Sequence, residues 1–276
     1  MVGFVLVSQE DPFAIDRAKR LAREIHWPLV KDLGDVPEEA LVAWVDEGPL
    51  RLQRLYSPQS GSRQAGAVYV DFSAPRLEHR RRLGVGRNQL FTKALGVHKI
   101  NWREREALGQ GPLRILDATA GLGQDAWIMA WIHPQIKVTA VERSPLLFAM
   151  LEDGVKRSQE LVNQVNLEFI YGDSVKYLES LPRGTDQRAF DVILLDPMFP
   201  KSDKSALSRK EMQVFQDLLL QDPESFDIQT QELLTKACEQ APRVVVKRPR
   251  KSPLIKSSLA YSLEGRSIRY DVYLNR

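Results

Sequence analysis

The sequence predicts an α/β protein: a mostly parallel, doubly wound sheet with a terminal antiparallel hairpin, plus a small N-terminal α/β subdomain. Three observations carry this. From residue 113 onward short apolar strands alternate with helical stretches, the pattern of a parallel sheet with helical crossovers. One of these strands, Val192-Ile193-Leu194-Leu195, is wholly apolar, as a strand covered on both faces should be. Glycines and acids recur where the strands end, the edge at which such sheets bind ligands.

The elements follow in order. Residues 3–7 read as a strand and 12–25 as an amphipathic helix opened by Asp11-Pro12. Residues 41–45 and 67–72 read as further strands, separated by the turn-forming Ser57-Pro58-Gln59-Ser60-Gly61-Ser62. Strands are then expected at 113–118, 137–141, 167–171, 191–195 and 244–246. Helices are expected at 124–132, 145–162 (with proline at its first turn), 208–221 and 228–240, with a short one after the third strand ending at about residue 180, and a hairpin over 258–273. The expected organisation is a subdomain over 1–75, a basic connecting segment over 76–112, and the main domain over 113–276.

Composition narrows the class. The 276 residues carry 39 Lys+Arg and 36 Asp+Glu, a net charge of +3, and that balance suits an ordinary soluble domain. No apolar run approaches a membrane span, and the start, with Glu10 and no basic stretch, does not read as a signal peptide. One cysteine, Cys238, excludes a disulfide framework and a cysteine-cluster metal site, and a cytoplasmic location is expected. The histidines (26, 79, 98 and 133) lack metal-ligand spacing, so no metal is expected. Charge is unevenly spread: residues 1–56 hold seven basic and ten acidic side chains, 76–105 nine basic and two acidic, and 243–256 six basic and none acidic. Two basic stretches on a nearly neutral chain point to a polyanion partner, with a solvated surface as the alternative.

Four loops carry chemistry. The first, Asp117-Ala118-Thr119-Ala120-Gly121-Leu122-Gly123-Gln124-Asp125-Ala126, joins a strand to a helix. Its glycines serve either a tight structural turn or close approach to a ligand. Glu142-Arg143 ends the next strand 21 residues after Gly121, where an acid either accepts hydrogen bonds from ribose hydroxyls or serves as a surface salt bridge or helix cap. Asp173 and Ser174, after the third strand, either bind an adenine amino group or cap the next helix. The fourth loop, Asp196-Pro197-Met198-Phe199-Pro200, is the most informative. Its carboxylate can accept from an exocyclic amino group, Pro197 fixes the local backbone, and Phe199 can stack on an extruded base, with a strand-ending turn and a core phenylalanine as the alternative.

This order of loops resembles a class I S-adenosylmethionine-dependent methyltransferase, a Rossmann-like fold. More closely, the chain resembles the bacterial small-subunit ribosomal RNA guanine-N2 methyltransferases of the J type. The resemblance runs through Val70-Asp71-Phe72, His79-Arg80-Arg81-Arg82, Gly84, Gly86-Arg87, the first and fourth loops, Lys204-Ser205-Ala206-Leu207, Lys210-Glu211-Met212, Val214-Phe215-Gln216 and Val244-Val245-Val246-Lys247-Arg248-Pro249. It implies S-adenosylmethionine as cofactor and small-subunit (16S) ribosomal RNA, free or in a particle, as partner, with methylation at a guanine N2. Carried over residue by residue, it implies Asp196, Pro197 and Phe199 as catalytic. The implied cofactor residues are Asp117, Thr119, Ala120, Gly121, Gly123, Gln124, Asp125, Glu142, Arg143, Asp173, Ser174 and Asp196. Arg80, Arg81, Arg82, Arg87, Lys247, Arg248 and Arg250 are read as RNA contacts, with Arg87 and Lys247 alternatively nearer the active site. Gln124 stands where the family usually has arginine, so this chain has no guanidinium there, while backbone contacts survive.

Three alternatives compete with this reading. An adenine-N6 methyltransferase shares the fourth loop, but Met198 departs from its usual second proline. A nicotinamide oxidoreductase shares the first two loops but has no use for the fourth. A non-catalytic RNA-binding assembly factor needs only the basic stretches.

Overall fold

The computed structural model describes residues 3–7, 11–38, 40–55, 66–84, 89–182, 188–197, 223–255 and 258–275. Their contacts gather into two units. One holds the residues up to 71 together with 145–157, and the other holds 72–144, 158–197 and 223–275.

In the first unit β1 (Gly3–Val7), β2 (Leu29–Val30), β3 (Leu41–Val45) and β4 (Arg51–Arg54) form a sheet in the order β2-β1-β3-β4. β1 runs parallel to both neighbours and β4 antiparallel to β3. Helix α1 (Pro12–Ile25) is started by Asp11, whose carboxylate accepts from the N–H groups of Phe13 and Ala14. Its buried stripe of Ala14, Ala18, Leu21 and Ala22 faces β1 and β3. The helix Pro145–Arg157 also belongs to this unit. Its buried Asp153 accepts from Arg17 Nη2 at 2.5 Å, Arg157 Nε at 2.9 Å and the Leu50 N–H at 3.0 Å, so three segments converge on one carboxylate. A Cβ on Gly154 would lie 2.3 Å from Val70 Cγ1, so only glycine allows that approach.

The second unit begins with three helices inside the basic stretch: α2 (Pro75–Gly84), α3 (Leu90–Leu95) and α4 (Trp102–Ala107). There follow β5 (Leu113–Asp117), α5 (Gln124–Ala130), β6 (Ile136–Glu142), the helix Pro145–Arg157 just described (α6), α7 (Gln159–Val162), β7 (Asn166–Tyr171), α8 (Ser174–Ser180) and β8 (Val192–Leu195). The chain closes with α9 (Pro223–Gln240), β9 (Arg243–Pro249), β10 (Tyr261–Glu264) and β11 (Ile268–Leu274). The sheet order is β10-β11-β9-β8-β5-β6-β7. The five strands from β9 to β7 are parallel, and β10-β11 is an antiparallel hairpin added at one edge. Chain order reverses between β5 and β8, and the cleft beyond the carboxyl ends at such a switch point binds ligands.

Both faces of this sheet are covered. On one, Leu116, Ile193, Leu195, Val244 and Val246 pack with Leu178 of α8, Leu234 and Ala237 of α9 and Tyr273 of β11. An aromatic cluster also forms, in which Phe72 lies 4.9 Å from Trp127 and 5.9 Å from Phe169 between ring centroids. Cys238 is partly buried against the first cluster.

The strand expected over 67–72 is corrected. Only Val68 pairs there, with Leu52, by two backbone bonds of 2.7 Å, while Phe72 turns into the aromatic cluster. The helix expected over 145–162 breaks at Ser158, whose backbone (φ −112°, ψ 24°) leaves the helical region. The helix expected over 208–221 lies outside the described residues.

Candidate functional site

The site is assembled at the carboxyl ends of β5, β6, β8 and β9. β5 ends at Asp117, which is 1% exposed and accepts from the Thr119 N–H at 3.1 Å. Burial, then the nearby Asp125 charge, raises its carboxyl to about 8. The loop then turns through Gly121 (φ +55°) and Gly123 (φ +70°), conformations that favour glycine, and Gly123 starts α5. A Cβ on Gly121 would meet nothing nearer than the Thr119 carbonyl at 3.9 Å, so the loop leaves room for a ligand.

Glu142, at the end of β6, is buried and holds this loop. Its Oε2 accepts from the Gly121 N–H and its Oε1 from the Ser144 N–H, each at 2.7 Å. A carboxylate has about four lone-pair positions, so acceptor capacity remains for further donors. Burial raises its pKa, against the backbone N–H groups of Ser144, Gly121 and Arg143 and the Arg143 charge. Arg143 is exposed and donates to Gln229 at 3.0 Å. Asp173 caps α8 by accepting from the Lys176 N–H at 3.0 Å, and the buried Ser174 hydroxyl donates to the Ala118 carbonyl at 2.6 Å. Of the two roles open to Asp173 the structure displays the cap, while Ser174 braces the first loop.

Asp196 follows β8. Its N–H donates to Thr119 Oγ1 at 2.6 Å, which ties the fourth loop to the first. Its side chain is half-buried, its Oδ2 accepts from Lys247 Nζ at 2.6 Å, and the same ammonium donates to Asp125 Oδ2 at 2.8 Å. Arg80 of α2 donates to the other oxygen of Asp125. Burial would raise the Asp125 carboxyl, but Lys247 and Arg80 outweigh it and bring it to about 2. For Asp196, burial and the Asp125 charge outweigh Lys247, and its pKa is raised. Lys247 is held firmly protonated, because Asp125 and Asp196 overcome the burial that would lower it. Met198, Phe199 and Pro200 lie outside the described residues.

The family model "Putative SAM-dependent methyltransferase" matches residues 33–275. The ribosomal RNA small subunit methyltransferase J of Cellvibrio japonicus is 39% identical over 291 positions, covering 100% of this chain and 98% of that protein. Its counterpart in Pseudomonas aeruginosa is 40% identical over 264 positions, covering 94% and 90%. The chain belongs to the small-subunit methyltransferase J family. A crystal structure of a SAM-dependent methyltransferase from Neisseria gonorrhoeae superposes on this family member with a TM-score of 0.63 at 26% identity, over 98% of this chain and 95% of that one. The class I fold and the S-adenosylmethionine dependence expected from the sequence are thereby established.

In this J-family methyltransferase the open glycine loop and the Glu142 carboxylate fit a nucleoside cofactor: one offers a backbone that a ligand can approach, the other acceptors for hydroxyls. Thr119, Ala120, Gly121, Gly123, Glu142, Asp173 and Ser174 are brought to one edge. Gln124 opens α5 beside them, half-buried. Asp125 follows in the first turn of α5, and both of its oxygens are engaged, one by Arg80 and the other by Lys247.

The RNA contacts divide. Arg248 is corrected: it is 3% exposed and donates to the Pro253 carbonyl, where a phosphate has no access. Arg80 and Lys247 are drawn into the site. Arg81 grips Glu78 through two bonds of 2.6 and 2.7 Å and lies 4.4 Å above the Trp131 ring. The side chains of Arg82 (75% exposed) and Arg250 (53% exposed) stay at the surface, on Glu78 and Glu264. Arg87 lies outside the described residues.

Sequence reasoning missed the Arg80–Asp125–Lys247–Asp196 chain of ion pairs. Its signal was Lys247 itself, a lysine closing the apolar run Val244-Val245-Val246 at the ligand edge of a buried strand.

Proposed function

We propose that this protein transfers a methyl group from S-adenosylmethionine to the exocyclic N2 of a specific guanine in 16S ribosomal RNA, in the cytoplasm. Membership of the family supports the substrate class. The observation that carries the chemistry is the bond from the Asp196 N–H to Thr119 Oγ1, which joins the acceptor loop to the cofactor loop. Among the described residues no helix is long and apolar enough to cross a membrane, and no group of acids, histidines and cysteine is placed to hold a metal.

Glu142 would accept the ribose hydroxyls, with Gly121 and Gly123 giving the backbone its close approach. Asp173 and Ser174 would flank the adenine, and Asp117, Thr119, Ala120, Gln124 and Arg143 would complete the surround. S-adenosylmethionine supplies a methyl group on a sulfonium sulfur, already electrophilic.

The protein's task is to orient the amine in line. A guanine amino group is a poor nucleophile because its lone pair is delocalised into the ring. Asp196 and the carbonyls around Pro197 would accept its N–H bonds, freeing the lone pair and stabilising the positive charge that develops. As that charge grows the amine becomes acidic, and a carboxylate whose pKa burial has raised is suited to take the proton. Phe199 would stack on the extruded ring.

The test is methylation of 16S ribosomal RNA with labelled S-adenosylmethionine, followed by nuclease digestion and mass analysis. N2-methylguanosine at one position is expected. N6-methyladenosine, or no methylated base, would overturn the reading.

A further inference from the structure

We propose that Lys247 is a positioning residue for methyl transfer, acting through Asp196, and that Asp125 anchors it from the opposite side. The inference rests on Asp196 being the acceptor of the amino group. β8 and β9 run in parallel register with Leu195 opposite Val246, so the next residues, Asp196 and Lys247, emerge side by side. The ammonium has three donors, and two are directed at carboxylates: Asp196 Oδ2 at 2.6 Å and Asp125 Oδ2 at 2.8 Å. A flexible four-carbon stem is held in one place by two anchors better than by one. Asp125 lies in the first turn of α5, directly after the glycine loop, and is itself held by Arg80. One ammonium thus links the cofactor loop to the acceptor loop, and it keeps Asp196 Oδ2 fixed so that Oδ1 presents to the amino group.

The charged and titratable groups around Asp196 are Lys247 from β9, Asp125 from α5, Arg80 from α2, Asp117 from β5 and Tyr270 from β11. Opposite charges favour its ionised form and like charges oppose it. Loss of Lys247 therefore raises the pH at which Asp196 ionises, and loss of the Asp125 charge lowers it. A residue that merely supported the fold would not give shifts of opposite sign.

The experiment measures the pH dependence of kcat/KM for 16S ribosomal RNA, which reports the free enzyme, together with RNA affinity against salt. Lys247→Met is expected to move the acid limb upward by about 1–3 pH units, with RNA affinity and its salt slope unchanged. Lys247→Arg should return the limb towards its wild-type position, and Asp125→Asn should move it downward. An unmoved limb in folded Lys247→Met overturns the proposal. So does a fall in RNA affinity with a shallower salt slope, the signature of a phosphate contact. Where thermal melts show that Lys247→Met is unfolded, Asp125→Asn decides: a downward limb supports the proposal and an unmoved or upward one refutes it. Wild-type rates in Asp196→Asn would instead remove the acceptor assignment itself. Strong loss in Asp196→Asn with an unmoved limb in Lys247→Met refutes the role of Lys247 alone.

Discussion

The Lys247 ammonium lies 2.6 Å from the Asp196 carboxylate, and the two residues follow the paired Leu195 and Val246 of neighbouring parallel strands. The acceptor of the proposed reaction is therefore one half of an ion pair. Its partner comes from a stretch whose positive charge otherwise suggests RNA, so the charge of β9 and the residue after it is divided between chemistry at Lys247 and surface at Arg250.

Asp196 and Phe199 carry the proposed catalysis. Asp196→Ala is expected to lower turnover by about 10²–10³, the usual loss for one electrostatic contact made in the transition state, with RNA binding retained. Asp196→Asn, which keeps the shape and one acceptor, should lose less. Phe199→Ala should lose about 1–3 kcal/mol of base stacking, and Phe199→Tyr should keep most of the rate. Methyl transfer to 16S ribosomal RNA, with folding followed by thermal melt, measures all four.

Glu142→Ala should weaken S-adenosylmethionine binding at least about tenfold, since bonds to a charged acceptor contribute roughly 1.5–3 kcal/mol each. The same change releases the Gly121 and Ser144 N–H groups, so the loop loses its brace as well. Calorimetric titration of the folded variant checks this, and unchanged affinity would remove the ribose assignment.

Asp117 should give stability a pH dependence of known sign. Its carboxyl is raised to about 8 in the folded state, whereas in an unfolded chain it titrates near ~3.9. Between those values the folded state binds the extra proton, so this contribution is fully present below about pH 4 and falls as pH rises through about 8. Asp117→Asn keeps an acceptor for the Thr119 N–H and carries no titration. Urea unfolding from about pH 5 to 9 should show a flatter profile in the variant, and an identical slope would contradict the burial of an ionisable group there.

The surface arginines should separate from the buried one. Reversing Arg82 and Arg250 to glutamate is expected to lower RNA affinity and reduce its salt slope by about 0.7–0.9 for each phosphate no longer neutralised. Arg248→Met should leave the slope unchanged and cost about 1–3 kcal/mol of stability, because the Pro253 carbonyl loses its Arg248 donor and keeps the longer bond from Arg269 Nη2 at 3.4 Å. Filter binding across salt concentrations and chemical denaturation test the two halves.

Gly154→Ala tests the packing of the first unit. The added methyl would sit 2.3 Å from Val70 Cγ1, and forced repacking of a filled core costs about 1–3 kcal/mol. A melting temperature at or above wild type would show that α6 and Val70 do not approach as described.

Much of this protein is legible in its amino-acid sequence, because the relevant signals are local. Apolar runs bounded by glycine and acids mark β5, β6 and β8 to within a residue or so, since a parallel strand buried on both faces admits little else. Asp11-Pro12 marks the start of α1, and the glycine loop, Glu142 and Asp196 stand at strand ends that only one edge of such a sheet can share. The four loops follow from that topology.

Tertiary structure decided the rest, for one physical reason: a charge or strand edge is defined by what lies opposite it. Residues 67–72 have strand-like composition, yet they pair only at Val68 because Phe72 is taken by Trp127 and Phe169. Nothing local distinguishes Arg248, turned in to a carbonyl, from Arg250, turned out to Glu264. Arg80, Asp125, Asp196 and Lys247 lie far apart along the chain, and only the folded sheet and its flanking helices bring them within hydrogen-bonding distance. Sequence determined which groups end each strand. Packing determined which are neutralised and which stay exposed.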